Sequence, residues 1–134
     1  MIAIDTSVLV AGFASWHEGH KTAREILRER PRLPAHVAVE GYSVLTRLPP
    51  PHRVPASLIG TFLSEQFKEP LLLLTDAALR HLLGALPDMG VTGGSVYDAV
   101  VAATALEAGS ELMTRDHRAV PTYATIGVSF RLLS

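Results

Sequence analysis

The chain has 134 residues, with 12 basic and 13 acidic side chains and a net charge of −1 when histidine is neutral. That length suits one domain over residues 1–134, able to bury about two-thirds of its unfolded surface, and 48% apolar residues support an ordinary globular core. No apolar stretch reaches the roughly 18 residues of a membrane helix. The absence of cysteine excludes disulfides and thiolate metal sites. The first residues carry neither the basic segment nor the cleavage site of a signal peptide, so a cytoplasmic protein is expected.

Residues 1–4 predict a buried strand and 6–13 a short helix after it. Residues 18–30 predict a helix with Lys21, Arg24 and Arg28 on one charged face. Pro31 and Pro34 break it, and the next helix, 35–47, ends at Pro49-Pro50-Pro51. A helix over 56–67 stops before Pro70. The four leucines 71–74 predict a strand buried on both faces, as in a parallel sheet. Thr75 or Asp76 caps a helix ending near Leu86, and Gly93-Gly94-Ser95 opens another that runs to Ala108 and closes at Gly109. Residues 111–114 and 125–130 predict the last strands. Strands alternating with helices give an α/β fold: a three-layer α/β/α sandwich around a mainly parallel sheet of four or five short strands. No repeat or second domain is visible.

Four carboxylates occupy places where a lone charge is costly: Asp5 after an apolar strand, Glu40 in an apolar helix, Asp98 in an almost uncharged helix, and Asp116 after the strand 111–114. An isolated charge removed from water costs several kcal/mol unless paired, and a hard divalent cation is the simplest shared partner. With those four of the 13 acids neutralised, nine face 12 bases, a surface of about +3 that is compatible with nucleic acid.

Each acid also has a plain structural account. Asp5 suits the N-cap of the next helix, although the carboxyl end of a strand is also where open α/β sheets place ligands. Glu40 shares a helix face with Val37, Val44 and Leu48, where a solvated glutamate does not belong, and Arg47 is its alternative partner. Ser95 and Asp98 match a capping box, with Ser95 as N-cap and Asp98 at the third helical position. Asp116 suits a turn, or a cap for 117–121. Asp76 is fully explained as part of a cap. His17 and His20 read as packing or surface residues, and Gly90–Gly94 lacks the Lys-Ser/Thr ending of a phosphate loop.

In four segments the chain resembles the PIN-domain ribonucleases, and among them the VapC toxins, in a style like that of actinobacterial and mycobacterial members. These are Met1-Ile2-Ala3-Ile4-Asp5-Thr6-Ser7-Val8-Leu9-Val10, the stretch Val39-Glu40-Gly41-Tyr42 through Arg47-Leu48-Pro49, Tyr97-Asp98-Ala99, and Leu112-Met113-Thr114-Arg115-Asp116. The resemblance covers essentially the whole chain. It implies that Asp5, Glu40, Asp98 and Asp116 converge at the C-terminal sheet edge and bind Mg²⁺ or Mn²⁺. Asp5 and Asp98 would be the chief ligands, with Glu40 and Asp116 binding directly or through water. Thr6, Ser7 and Thr114 would support the acids; Ser7 stands where relatives often carry Asn, which alters the hydrogen bonds around Asp5.

The activity so implied is metal-dependent RNA hydrolysis leaving a 3′-hydroxyl and a 5′-phosphate. The partners are an RNA substrate, a VapB-like antitoxin and a second copy of the chain in a homodimer. Because an acidic pocket repels phosphate, Arg115 is expected to reach the groove edge and hold the strand, with the Lys21, Arg24 and Arg28 stripe more remote. Two rival readings are a PIN-like module that binds RNA without cutting it and a haloacid-dehalogenase-type phosphatase. The latter needs a second aspartate where this chain has Ser7.

Overall fold

In the computed structural model, which describes residues 1–134, three short strands form a parallel sheet in the order β1-β2-β3. Strand β1 spans Ile2–Ile4, β2 Glu111–Thr114 and β3 Phe130–Leu132. The register pairs Ile2 with Glu111 and Ile4 with Met113, and Leu112 with Phe130. Adjacent residues Ala3 and Ile4, and likewise Leu112 and Met113, are fully buried. Neighbours on a strand point to opposite faces, so helices cover both sides of the sheet and give the α/β/α arrangement.

The helices are α1 (Thr6–Phe13), α2 (His20–Arg28), α3 (Ala35–Thr46), α4 (Ala56–Gln66), α5 (Asp76–Met89), α6 (Ser95–Glu107) and α7 (Val120–Ile126), with a 3-10 turn at His117–Ala119. Helix α3 packs on α1 through Gly41, where an added Cβ would lie 2.3 Å from Cδ2 of Leu9. That close approach sets the adjacent Glu40 beside the start of α1.

The sheet is narrower than the four or five strands expected. Beyond β1 the ladder continues only as single parallel bridges, Ala3 to Arg32 and Pro34 to Leu72. Proline lacks the N–H that a longer ladder needs, and Pro31, Pro34 and Pro70 fall in these segments. The leucines 71–74 are therefore not a strand buried on both faces: Leu71 is 44% exposed and Leu73 is 73% exposed. Helix α5 runs through Pro87 to Met89 and closes on Gly90 in the left-handed conformation, because proline in a last turn forfeits only one hydrogen bond. The expected strand at 125–130 is also corrected. Helix α7 occupies the chain to Ile126, Gly127 turns it at φ 91°, and β3 starts at Phe130.

Candidate active site

The sheet register brings the ends of β1 and β2 level. The amide of Asp5 donates to the carbonyl of Met113 at 3.2 Å, so the residues following each strand leave the sheet at one edge. An open groove of about 450 Å³ lies there, lined by Asp5, Glu40, Asp98 and Asp116 together with Thr6, Ser7, Arg115, Arg118, His17 and Tyr123.

Asp5 is buried, 3% exposed, and caps α1 by accepting from the amide of Val8 at 3.3 Å. Its carboxylate also accepts from the Ser7 hydroxyl at 2.6 Å and the Tyr123 hydroxyl at 2.8 Å. Capping and placement at the site therefore coexist. Burial pushes the Asp5 carboxyl above the ordinary range, and the hydroxyls of Ser7, Thr114 and Tyr123 and the Val8 amide pull it partly back. The same burial, reinforced by the Asp5 charge, raises the Tyr123 phenol, so that it stays a donor.

Glu40 accepts a hydrogen bond from the Thr6 hydroxyl, with His36 Nε2 at 3.9 Å. Its side chain is 43% exposed, at the border of a buried face made by Val37, Gly41 and Leu45. Arg47, its expected alternative partner, instead donates to Ser43 Oγ at 3.4 Å.

Asp98 lies in the first turn of α6, where burial raises its carboxyl and Arg118 lowers it. The expected capping box is absent. The N-cap is Gly94, no side chain caps the helix, and Ser95 is the first helical residue. Asp98 thus sits one position too far along to close such a box. Glycine supplies the chain reversal that made the serine look like a cap, with Gly93 at φ 60°.

Asp116 caps the 3-10 turn, accepting from the Arg118 amide at 3.0 Å, while its own amide donates to Thr114 Oγ1 at 3.0 Å. The guanidinium of Arg118 then forks, Nη1 to Asp98 and Nη2 to Asp116, each at 3.0 Å. These two carboxylates hold Arg118 protonated more firmly than an ordinary arginine.

Arg115 runs along the groove wall and does not stand out at an exposed rim. Its side chain is 16% exposed, with Glu18 3.9 Å away, and its guanidinium packs over Gly19, where a Cβ would fall 2.3 Å from Cζ. The Arg115 amide donates to Ser7 Oγ at 2.8 Å, so Ser7 links Asp5 to the chain after β2. His17 faces the same groove, and burial followed by the Arg115 charge lowers its pKa. His20 is a packing residue, with Nδ1 2.8 Å from the Ala11 carbonyl.

The acids offer only hard carboxylate oxygens, the donor type suited to Mg²⁺ or Mn²⁺. In the arrangement described, no three carboxylate or imidazole side chains are gathered closely enough to form a metal cage. Arg118 is bound to oxygens of two of the acids and acts as a monovalent stand-in there. The donor oxygens are of the type a hard cation takes, and Arg118 occupies two of them in the structure.

The residues missed by sequence reasoning are Tyr123 and Arg118. Arg118 is only two residues from Asp116, a spacing that could have marked it, but its contact with Asp98 and that of Tyr123 with Asp5 come only through the fold.

The PIN domain family matches residues 2–123, and the chain belongs to that family. It is 50% identical over 134 residues, the full length of both chains, to proteins named Ribonuclease VapC40 from two Mycobacterium tuberculosis strains, CDC 1551 / Oshkosh and ATCC 25618 / H37Rv. It is also 41% identical over 128 residues to Ribonuclease VapC27 of the H37Rv strain, covering 95% of this chain and 93% of that one.

Proposed function

We propose that this chain is a single-domain, cytoplasmic VapC-type toxin: an endoribonuclease that hydrolyses RNA phosphodiester bonds with Mg²⁺ or Mn²⁺. It is homodimeric and is silenced by a VapB-like antitoxin covering the acidic groove. The observation that carries this proposal is the convergence of Asp5, Glu40, Asp98 and Asp116 on one groove at the C-terminal sheet edge. The names of the full-length relatives support the choice of RNA as substrate.

Asp5 and Asp98 would be the principal metal ligands, with Glu40 and Asp116 completing the set directly or through water. A divalent cation held there would supply a lowered water pKa and charge neutralisation for phosphodiester hydrolysis. The chain's own residues provide the orientation. Ser7 and Tyr123 fix the two oxygens of Asp5, Thr6 fixes Glu40, and Thr114 anchors the backbone at Asp116. Arg115 lies along the groove where it can hold a phosphate.

The test is to induce the wild type and Asp5→Asn or Asp98→Asn in cells and map new RNA 5′ ends, with cleavage by purified protein in Mn²⁺ or Mg²⁺ alongside. Loss of a charged ligand should reduce cleavage by orders of magnitude while the fold survives. Wild-type cleavage by either variant would refute the metal assignment. RNA binding without any cleavage by the wild type would favour the binding module.

A further inference from the structure

A second groove, of about 420 Å³, lies at the opposite end of the sheet and is strongly basic. Arg24 and Arg28 line it from α2, Arg30 and Arg32 from the segment that follows, and Lys68 from the chain after α4. Arg32 runs parallel to β1 beside Ala3, and Leu72 runs parallel beside Pro34. Arg30 and Lys68, which precede these bridges, therefore lie toward the N-terminal ends of the strands, whereas Asp5 leaves β1 at the other end.

Five of the chain's 12 basic side chains meet here with only two acids, Glu65 and Glu69, in a protein whose net charge is −1. Lys68 is 3.7 Å from Glu65, but none of the four arginines has a carboxylate within salt-bridge distance. Arg32 donates to the Pro70 carbonyl at 2.6 Å, and its Nε is buried without a protein partner. Arg30 takes the left-handed conformation, φ 54°, a position beyond a helix end where glycine is the usual occupant. The walls are held together, since Gln66 donates to the Leu27 carbonyl at 3.0 Å. Cations at the end of α2 also complement the helix dipole, which accounts for Arg28 and Arg30 but not for Arg24, Arg32 or Lys68.

We propose that this groove is a phosphate-binding exosite for the flanking part of the RNA strand whose scissile bond lies at the acids. The proposal rests on the ribonuclease reading above. Its physical reason is electrostatic. The four acids repel a polyanion, and the two arginines of their groove already lie against carboxylates. Further strand affinity is best supplied by the unpaired arginines here, whose guanidinium groups match phosphate oxygens in charge and geometry. A short RNA can occupy one groove at a time, whereas a longer one reaches both ends of the sheet.

The test is binding of single-stranded RNAs of about 6 and about 30 nucleotides, lengths within and well above one strand-binding site. It uses the full chain in EDTA over a salt series, comparing wild type with Arg24→Gln/Arg28→Gln/Arg30→Gln. That variant spares Arg32, which is tied to the Pro70 carbonyl, and a thermal melt checks its fold. Should it fail to fold, the single charge reversal Arg28→Glu takes its place. Affinity for the long RNA should fall about tenfold or more, with the log–log salt slope shallower by about two for three lost single-strand contacts. Affinity for the short RNA should fall by a smaller factor, because it makes fewer of these contacts.

Equal long-RNA affinity and slope would overturn the exosite. Unchanged RNA binding together with lost binding of a polyglutamate peptide would also overturn it, in favour of an acidic-peptide dock. Cleavage in Mn²⁺ separates the two proposals. A wild type that cuts no RNA refutes the enzymatic reading, whereas cutting with equal binding by the triple variant refutes the exosite alone.

Discussion

The hydroxyl of Tyr123 donates to Oδ2 of Asp5 at 2.8 Å, joining residues 118 positions apart. Both are buried, and the bond ties α7 to the acid that caps α1. Tyr123→Phe removes the donor and leaves the shape. A hydrogen bond to a charged group is worth about 1.5–3 kcal/mol, so metal-free stability in urea should fall by about that amount. An unchanged midpoint would mean that Asp5 is held by Ser7 and Val8 alone.

Burial raises the Asp5 carboxyl above its ordinary value of 3.8. The folded protein then holds that proton to higher pH than the unfolded chain. Between the two values the native state binds more protons, so its stability falls as pH rises. Asp5→Asn removes this dependence. In EDTA, its stability relative to wild type should be least favourable near pH 4 and improve as pH increases through the raised Asp5 value. A pH-independent difference would contradict the burial effect.

Arg118 occupies oxygens of Asp98 and Asp116 that the proposed divalent cation would use. Its side chain is 65% exposed, and pairs of that kind are worth about 0.2–1 kcal/mol. Arg118→Gln should therefore tighten Mn²⁺ binding by up to about fivefold at low salt. The metal-free melting temperature should drop by about 1–4 °C. Weaker Mn²⁺ binding in a calorimetric titration would show that the guanidinium organises the acids and does not compete for them.

Gly19→Ala would force the Arg115 guanidinium aside, since the new Cβ falls 2.3 Å from Cζ. The obstructed atoms belong to a flexible side chain, so the stability change should stay within about 1 kcal/mol. If Arg115 holds a substrate phosphate, both this variant and Arg115→Ala should weaken RNA binding and lower its salt slope by about one. Wild-type affinity in both would remove Arg115 from the substrate path.

Ser95→Ala is expected to be close to neutral, within about 0.5 kcal/mol, because Ser95 caps nothing and the helix begins on Gly94. A loss of about 1 kcal/mol in thermal melts would restore the capping role that the sequence suggested.

The amino-acid sequence by itself determined the order of the helices, the apolar strands at 1–4 and 111–114, and the helix breaks at Pro31, Pro49 and Gly109. These are local consequences of hydrophobic period and of glycine and proline geometry. It also singled out the four acids, because a carboxylate in an apolar element stands out without knowledge of its neighbours. Tertiary structure decided the rest. The width of the sheet depended on which backbone groups found partners, and at Arg32, Pro34 and Leu72 they formed single bridges only.

The Ser95–Asp98 spacing could not reveal that glycine would begin the helix. Likewise, no local pattern in residues 117–126 shows that Arg118, already beside Asp116, also reaches Asp98 while Tyr123 turns inward to Asp5. Those contacts arise when α7 packs on α6 beside the strand ends. Side-chain partners far apart in the chain are set by packing, for which one-dimensional spacing carries no signal.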